Sequence, residues 1–192
     1  MYMNCTVPPY ALAYFLPIIL RGMGYSVAKS QLLSAPPFIT AVAVAFGIAY
    51  MSDRTRLRAP WIALSCILVI VGLLITAYAP THTAQYFGIF VATAGAQSNI
   101  PAMLTYQANN IRTHSKRSVG TALQVGFGAV GGITASMTFK EADAPKYHIG
   151  MWSTIGGQIM TLATLAFMTR YLRKQNAKGD VMEGKRGFKY TL

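Results

Sequence analysis

Ser52-Asp53-Arg54-Thr55-Arg56-Leu57-Arg58 packs three arginines and one aspartate into a single short stretch. On either side the charge vanishes. Residues 30–52 hold no Asp, Glu, Lys or Arg, and neither do residues 59–111. A helix needs about 20 mostly apolar residues to cross the hydrocarbon core of a bilayer, and both flanks supply them. The cluster therefore reads as a short loop between two membrane spans, on the side of the bilayer that collects arginine.

Composition points the same way. Hydrophobic residues make up 53% of the 192 and charged residues 11%, against about 25% charged in soluble domains. A net charge of +12 raises nucleic acid as a partner. The basic residues stand at the ends of apolar runs, however, not along one face of a polar domain, so no nucleic acid is expected. Cys5 and Cys66 lie far apart among apolar neighbours, which suggests small hydrophobes in helices and no disulfide framework. His82, His114 and His148 fall in loops or at span ends without ligand spacing, so neither a metal site nor a cofactor is expected. No Ser/His/Asp or Cys/His set can be assembled, and the chain does not read as an enzyme. Met1-Tyr2-Met3-Asn4 offers neither a basic start nor a cleavage site, so no signal peptide is expected.

Unpaired backbone groups in lipid cost several kcal/mol each, so uncharged runs of this length must be helical. The expected fold class is an all-α membrane protein with six transmembrane helices. The spans fall at about residues 3–20, 32–51, 60–79, 85–108, 119–138 and 149–169. Together they form a bundle over residues 1–172, and residues 173–192 read as a basic, disordered tail. The first span is short and reads as truncated. The third is the most uniformly apolar and is expected to face lipid most. Six spans also sort the charges. One face receives the 52–59 loop, the 109–118 loop and the tail, with 13 Lys and Arg; the other receives four, Arg21, Lys29, Lys140 and Lys146. That asymmetry puts the Asp53–Arg58 loop and both termini in the cytoplasm. The plasma membrane is the expected location.

Arginines at a helix end anchor a span, but Asp53 opposes the positive bias and calls for a pairing role. Asp53-Arg54-x-Arg56-x-Arg58 resembles the Gly-x-Leu-x-Asp-Arg-x-Gly-Arg-Arg loop motif of the major facilitator superfamily. It departs from that motif at Ala49, Met51, Arg56 and Leu57, as a second-half copy would. Further along, Ala13-Tyr14-Phe15-Leu16-Pro17, Gln31-Leu32-Leu33-Ser34-Ala35-Pro36-Pro37, Asn99-x-Pro101, Gly131-Gly132 and Asp143-Ala144-Pro145-x-Tyr147 are similar to the fungal anion:cation symporter branch, the allantoate and nicotinate permeases. The resemblance implies the C-terminal half, helices seven to twelve, of a twelve-helix carrier. It implies symport of a small organic anion, with protons, by alternating access in a lipid bilayer. It also implies a missing partner, an N-terminal six-helix half or a second copy. The competing expectation is a non-transporting integral membrane protein or an inactive fragment.

Candidate site residues follow from polarity within the spans. Gln97 and Asn99 precede Pro101, which removes a backbone bond and opens the helix near Gln97. Interrupted helices at mid-depth are where transporters bind substrate; hydrogen bonding between helices with no ligand stands equally open. Gln124 is a further cavity candidate, and Tyr10 and Tyr14, one turn apart, form an aromatic face on the first span. Tyr106 and Gln107 extend the polar face of the fourth span towards the cytoplasm. Asp53, Arg54 and Arg58 are the gating candidates. Gly126-Phe127-Gly128-Ala129-Val130-Gly131 formally matches a dinucleotide fingerprint, but it lies inside an apolar helix and reads as a ledge for close helix packing. No Asp, Glu, Lys or Arg lies within the core of any span. Coupling, and the charge that binds an anion, are therefore expected to come from the missing half.

Overall fold

The computed structural model describes residues 1–22, 24–111, 113–138, 148–178 and 191. These residues form six helices and no strand: α1 (Tyr2–Gly22), α2 (Val27–Thr55), α3 (Ala59–Tyr78), α4 (His82–Asn110), α5 (His114–Thr138) and α6 (His148–Lys178). The polar 140–146 loop, Arg112 and most of the expected disordered tail lie outside the described residues. α6 itself continues to Lys178, past the expected end of the sixth span.

The helices start where side chains can cap them. Ser26 accepts a hydrogen bond from the Lys29 amide, and Thr81 accepts one from the Ala84 amide. Pro60 opens α3, where its missing amide costs nothing. α2 and α3 are long and apolar enough to cross a membrane, and α1 joins them if Tyr2–Tyr14 and Leu16–Gly22 count as one span. α4 and α5 are also longer than 20 residues, but Gln, Asn, Ser, Thr and Gly dilute their hydropathy.

α3 and α4 form the most intimate pair. Gly72 backs onto the Gly88 carbonyl and the Ala92 backbone, and Gly95 backs onto the Ser65 carbonyl. Small residues at helical spacing on both partners let the backbones meet. This corrects the expectation that the third span faces lipid most. α3 buries Ile62, Cys66, Val69, Leu73 and Thr76, while α2 exposes Leu32, Ile39, Val42, Phe46 and Tyr50. Uniform apolarity shows that a helix avoids water; it does not distinguish a neighbouring helix from lipid.

The glycine ledge of α5 packs against α1, as the sequence suggests. Thr6 of α1 donates to the Gly128 carbonyl at 3.0 Å, and Gly131 lies against the Met3 carbonyl. α1 packs on α5, α2 packs on α4, and α1 also touches α4. The same pairing recurs if α1–α3 and α4–α6 are two three-helix units.

Two of the prolines within these helices are answered from across the bundle. Pro37 removes the amide that would bond the Leu33 carbonyl. Tyr86 of α4 supplies a hydroxyl to that carbonyl at 2.8 Å. Pro8 likewise frees the Asn4 carbonyl, and Gln158 of α6 donates to it at 2.8 Å. Each pair joins two helices through a bond that an unbroken helix would have kept to itself.

Candidate functional site

The elbow between α2 and α3 is built by a left-handed residue. α2 ends at Thr55, and Arg56 caps it with φ 55°, its amide reaching the Asp53 carbonyl at 3.4 Å. Glycine usually fills such a cap because a Cβ crowds the following carbonyl. The facilitator motif has glycine at this position, so the sequence departs from it at the residue under most backbone strain. Beyond the cap, Arg58 of the α3 N-terminus meets Asp53 at 2.6 Å. Trp61 donates to Thr55 at 2.9 Å, closing the elbow a second time. Asp53 is largely exposed, so the pair contributes at most about 1 kcal/mol. It stands at the end of a small cleft of about 130 Å³ between α2 and α4, lined also by Ser52, Ser98, Pro101 and Thr105. Of the three gating candidates, the structure brings Asp53 and Arg58 together. Arg54 is exposed, and no ion pair joins it among the described residues.

The five binding candidates do not converge on one point. Tyr10 and Tyr14 stack with ring centroids 6.5 Å apart and planes 13° apart. Both are exposed, and the Tyr10 ring lies over Gly132 of α5. Gln97 is half-buried on α4, in line with exposed Pro101 one turn on. Asn99 points elsewhere. It is fully buried, with its amide 3.5 Å from the Cys66 sulfur on α3. Two residues advance a helix by about 200°, so Gln97 and Asn99 take opposite sides of α4. Asn99 thus makes the interhelical bond that stood as the alternative to ligand binding.

Gln124 lies elsewhere again. Its amide donates to the Met103 carbonyl at 3.4 Å, and it lines a cavity of about 670 Å³ between α1, α4, α5 and α6. Tyr2, Tyr106, Gln107 and Phe127 share that cavity. The Gln124 Oε1 is buried without a hydrogen-bond partner, and the Tyr106 hydroxyl lies close to Thr169 of α6. Asn110 also lines the cavity, and most of its wall is apolar. Tyr106 and Gln107 were legible as part of a polar stripe. Tyr2 and Phe127 were not, since nothing local separates a lining aromatic from a lipid-facing one. Among the described residues no cluster of His, Cys, Asp or Glu could hold a metal.

Comparison with known proteins gives these features a setting. The chain is 33% identical, over 97% of its length, to an MFS-type transporter, cnsO, of Penicillium expansum. It is 30% identical, over 92% of its length, to the major facilitator-type transporter hxnP of Emericella nidulans. It is 26% identical, over 91%, to a high-affinity nicotinic acid transporter of Saccharomyces cerevisiae. No family model matches the chain. The chain is thus related to fungal major facilitator transporters, and its apolar helices α2 and α3 are long enough to cross a membrane, as in an integral membrane protein. It spans 37%, 37% and 33% of the length of those three relatives, about a third. The relatives are named as transporters, not as enzymes.

Proposed function

We propose that the chain forms a six-span half of a major facilitator carrier, equivalent to its C-terminal half, in the allantoate and nicotinate permease branch. The parent activity is symport of a small organic anion by alternating access at the plasma membrane, with both termini cytoplasmic. The observation that carries this reading is similarity along nearly the whole chain to fungal transporters, one of them named for nicotinic acid. That acid is a small aromatic carboxylate at neutral pH.

The residues suit the recognition of such an anion without a fixed charge. Tyrosine hydroxyls and glutamine amides donate hydrogen bonds to a carboxylate, and charged acceptors strengthen such bonds. The Tyr10/Tyr14 stack offers an aromatic face, and Gln97 lies on the open stripe of the adjoining α4. The Tyr106/Gln124 cavity, mainly apolar with Gln107 and Asn110 in its wall, is a second station on the path. A cation to balance the anion, and an ionisable residue to couple protons, come from the other half. Asp53 and Arg58 hold the α2–α3 elbow in one arrangement of the moving bundle, with Arg54 free to pair in another.

Uptake of radiolabelled nicotinate by cells tests this. Cells expressing the chain together with the N-terminal six helices of the yeast relative should take up label, and cells expressing either alone should not. Saturable uptake by cells with this chain alone would contradict the half-carrier reading. Failure of the pair to take up nicotinate or any other small carboxylate would contradict the transport reading.

A further inference from the structure

Beside the elbow, α3 and α6 leave an open groove of about 360 Å³. Pro60 and Ala63 of α3 face Leu162 and Ala166 of α6 across it. At one end the lining changes from apolar to basic, with Arg170 and Arg173. From Leu162 to Arg173 a helix rises about 16 Å, close to half the roughly 30 Å thickness of a bilayer's hydrocarbon core. The groove therefore has the depth of one leaflet, with its arginines at the headgroup level.

The charge at that end is unanswered. Arg170 and Arg173 are exposed and sit three residues apart, on neighbouring positions of one helix face. Asp53, the acid of the nearby elbow, is taken by Arg58. Among the described residues no carboxylate pairs with either arginine. A guanidinium pair binds phosphate through planar, bidentate forks. An apolar trough beneath it accepts a hydrocarbon chain, which a soluble phosphate lacks.

We propose that the α3–α6 groove binds an anionic phospholipid. Its phosphate sits between Arg170 and Arg173, and one acyl chain runs along Ala63, Leu162 and Ala166. The proposal rests on the membrane reading of the chain. The lipid ties the cytoplasmic ends of α3 and α6 together beside the Asp53–Arg58 elbow. Zwitterionic lipids fit less well, because their headgroup brings no net negative charge to the arginines.

The test is native mass spectrometry of the full chain in detergent, offered phosphatidylserine or phosphatidylcholine. The chain should retain one phosphatidylserine in preference to phosphatidylcholine. Arg170→Gln with Arg173→Gln should weaken retention about tenfold or more. Ala166→Trp should also weaken it by filling the trough with no change of charge, while Lys29→Gln should not. Soluble glycerophosphoserine should fail to compete. Equal retention of the two lipids, unchanged retention in the double variant, or full competition by the soluble headgroup would overturn the proposal. Alkaline extraction of the source membranes separates the two readings. A chain released by alkali sinks the membrane reading and the lipid site with it. A chain that stays embedded but does not discriminate overturns the lipid site alone.

Discussion

At the scale of single residues, two of the backbone bonds that proline breaks, at Leu33 and Asn4, are answered from another helix. Proline was visible in the sequence at 8, 9, 17, 36, 37 and 101. The partners that meet the freed carbonyls were not. Tyr86 reads as an interfacial aromatic and Gln158 as a diluting polar residue until the fold brings them to Leu33 and Asn4. The cost of Tyr86→Phe should therefore depend on Pro37. In the native chain it should destabilise by about 1 kcal/mol. In a Pro37→Ala background the restored amide can bond the Leu33 carbonyl, and the cost should fall towards zero. A double-mutant cycle by SDS unfolding in mixed micelles measures the difference; equal costs in both backgrounds would disprove the link. The same lesson covers Asn99. Its polarity at mid-span was legible, but its direction was not, because two residues along α4 separate an open stripe from a sealed interface.

At the scale of the helices, small residues decide which faces meet. The run from Gly126 to Gly132 was legible as a packing ledge, and α5 does meet α1 through it. The ledge is uneven. A side chain at Gly131 would strike the Met3 carbonyl and the Thr6 hydroxyl, whereas one at Gly126 would enter open space. Gly131→Val should destabilise the bundle by about 1–3 kcal/mol by forcing α1 and α5 apart. Gly126→Ala should leave stability unchanged or slightly improved, since alanine is the better helix former. Thermal unfolding of the two purified variants distinguishes them, and equal effects would show that α1 does not sit on this ledge. The α3 surprise has the same origin. Its sequence is apolar all round, but Gly72, Gly88 and Gly95 draw α4 onto it, and that depends on small residues in two segments at once.

At the scale of the whole molecule, the charges organise the topology. Asp53 with Arg54, Arg56 and Arg58 was readable at once as a loop over 52–59, but α2 runs on through Thr55, so Asp53 and Arg54 lie in its last turn and only residues 56–58 form the elbow. Six crossings ask more of the chain than hydropathy alone provides, because among the described residues only α2 and α3, with α1 as a third, are long and apolar enough by that measure. Two of the polar residues that dilute the other helices are ones the transport reading uses, Gln97 on α4 and Gln124 on α5, while Gln158 on α6 bonds the Asn4 carbonyl. The exposed apolar faces of α2 and α5, with Phe46, Tyr50, Leu123 and Phe127, fit a bundle set in lipid and against a second six-helix unit.

The half-carrier account stands on the sidedness of those crossings. Cys5 and Cys66 are fully buried and should not react with a membrane-impermeant maleimide, which labelling of the native chain checks, so single cysteines can be placed in that background. His82→Cys, at the start of α4, should label in intact cells. Arg56→Cys and Ser115→Cys should label only after the cells are permeabilised. Labelling of Arg56→Cys or Ser115→Cys in intact cells, or a His82→Cys site that stays protected until permeabilisation, would contradict the six-span arrangement.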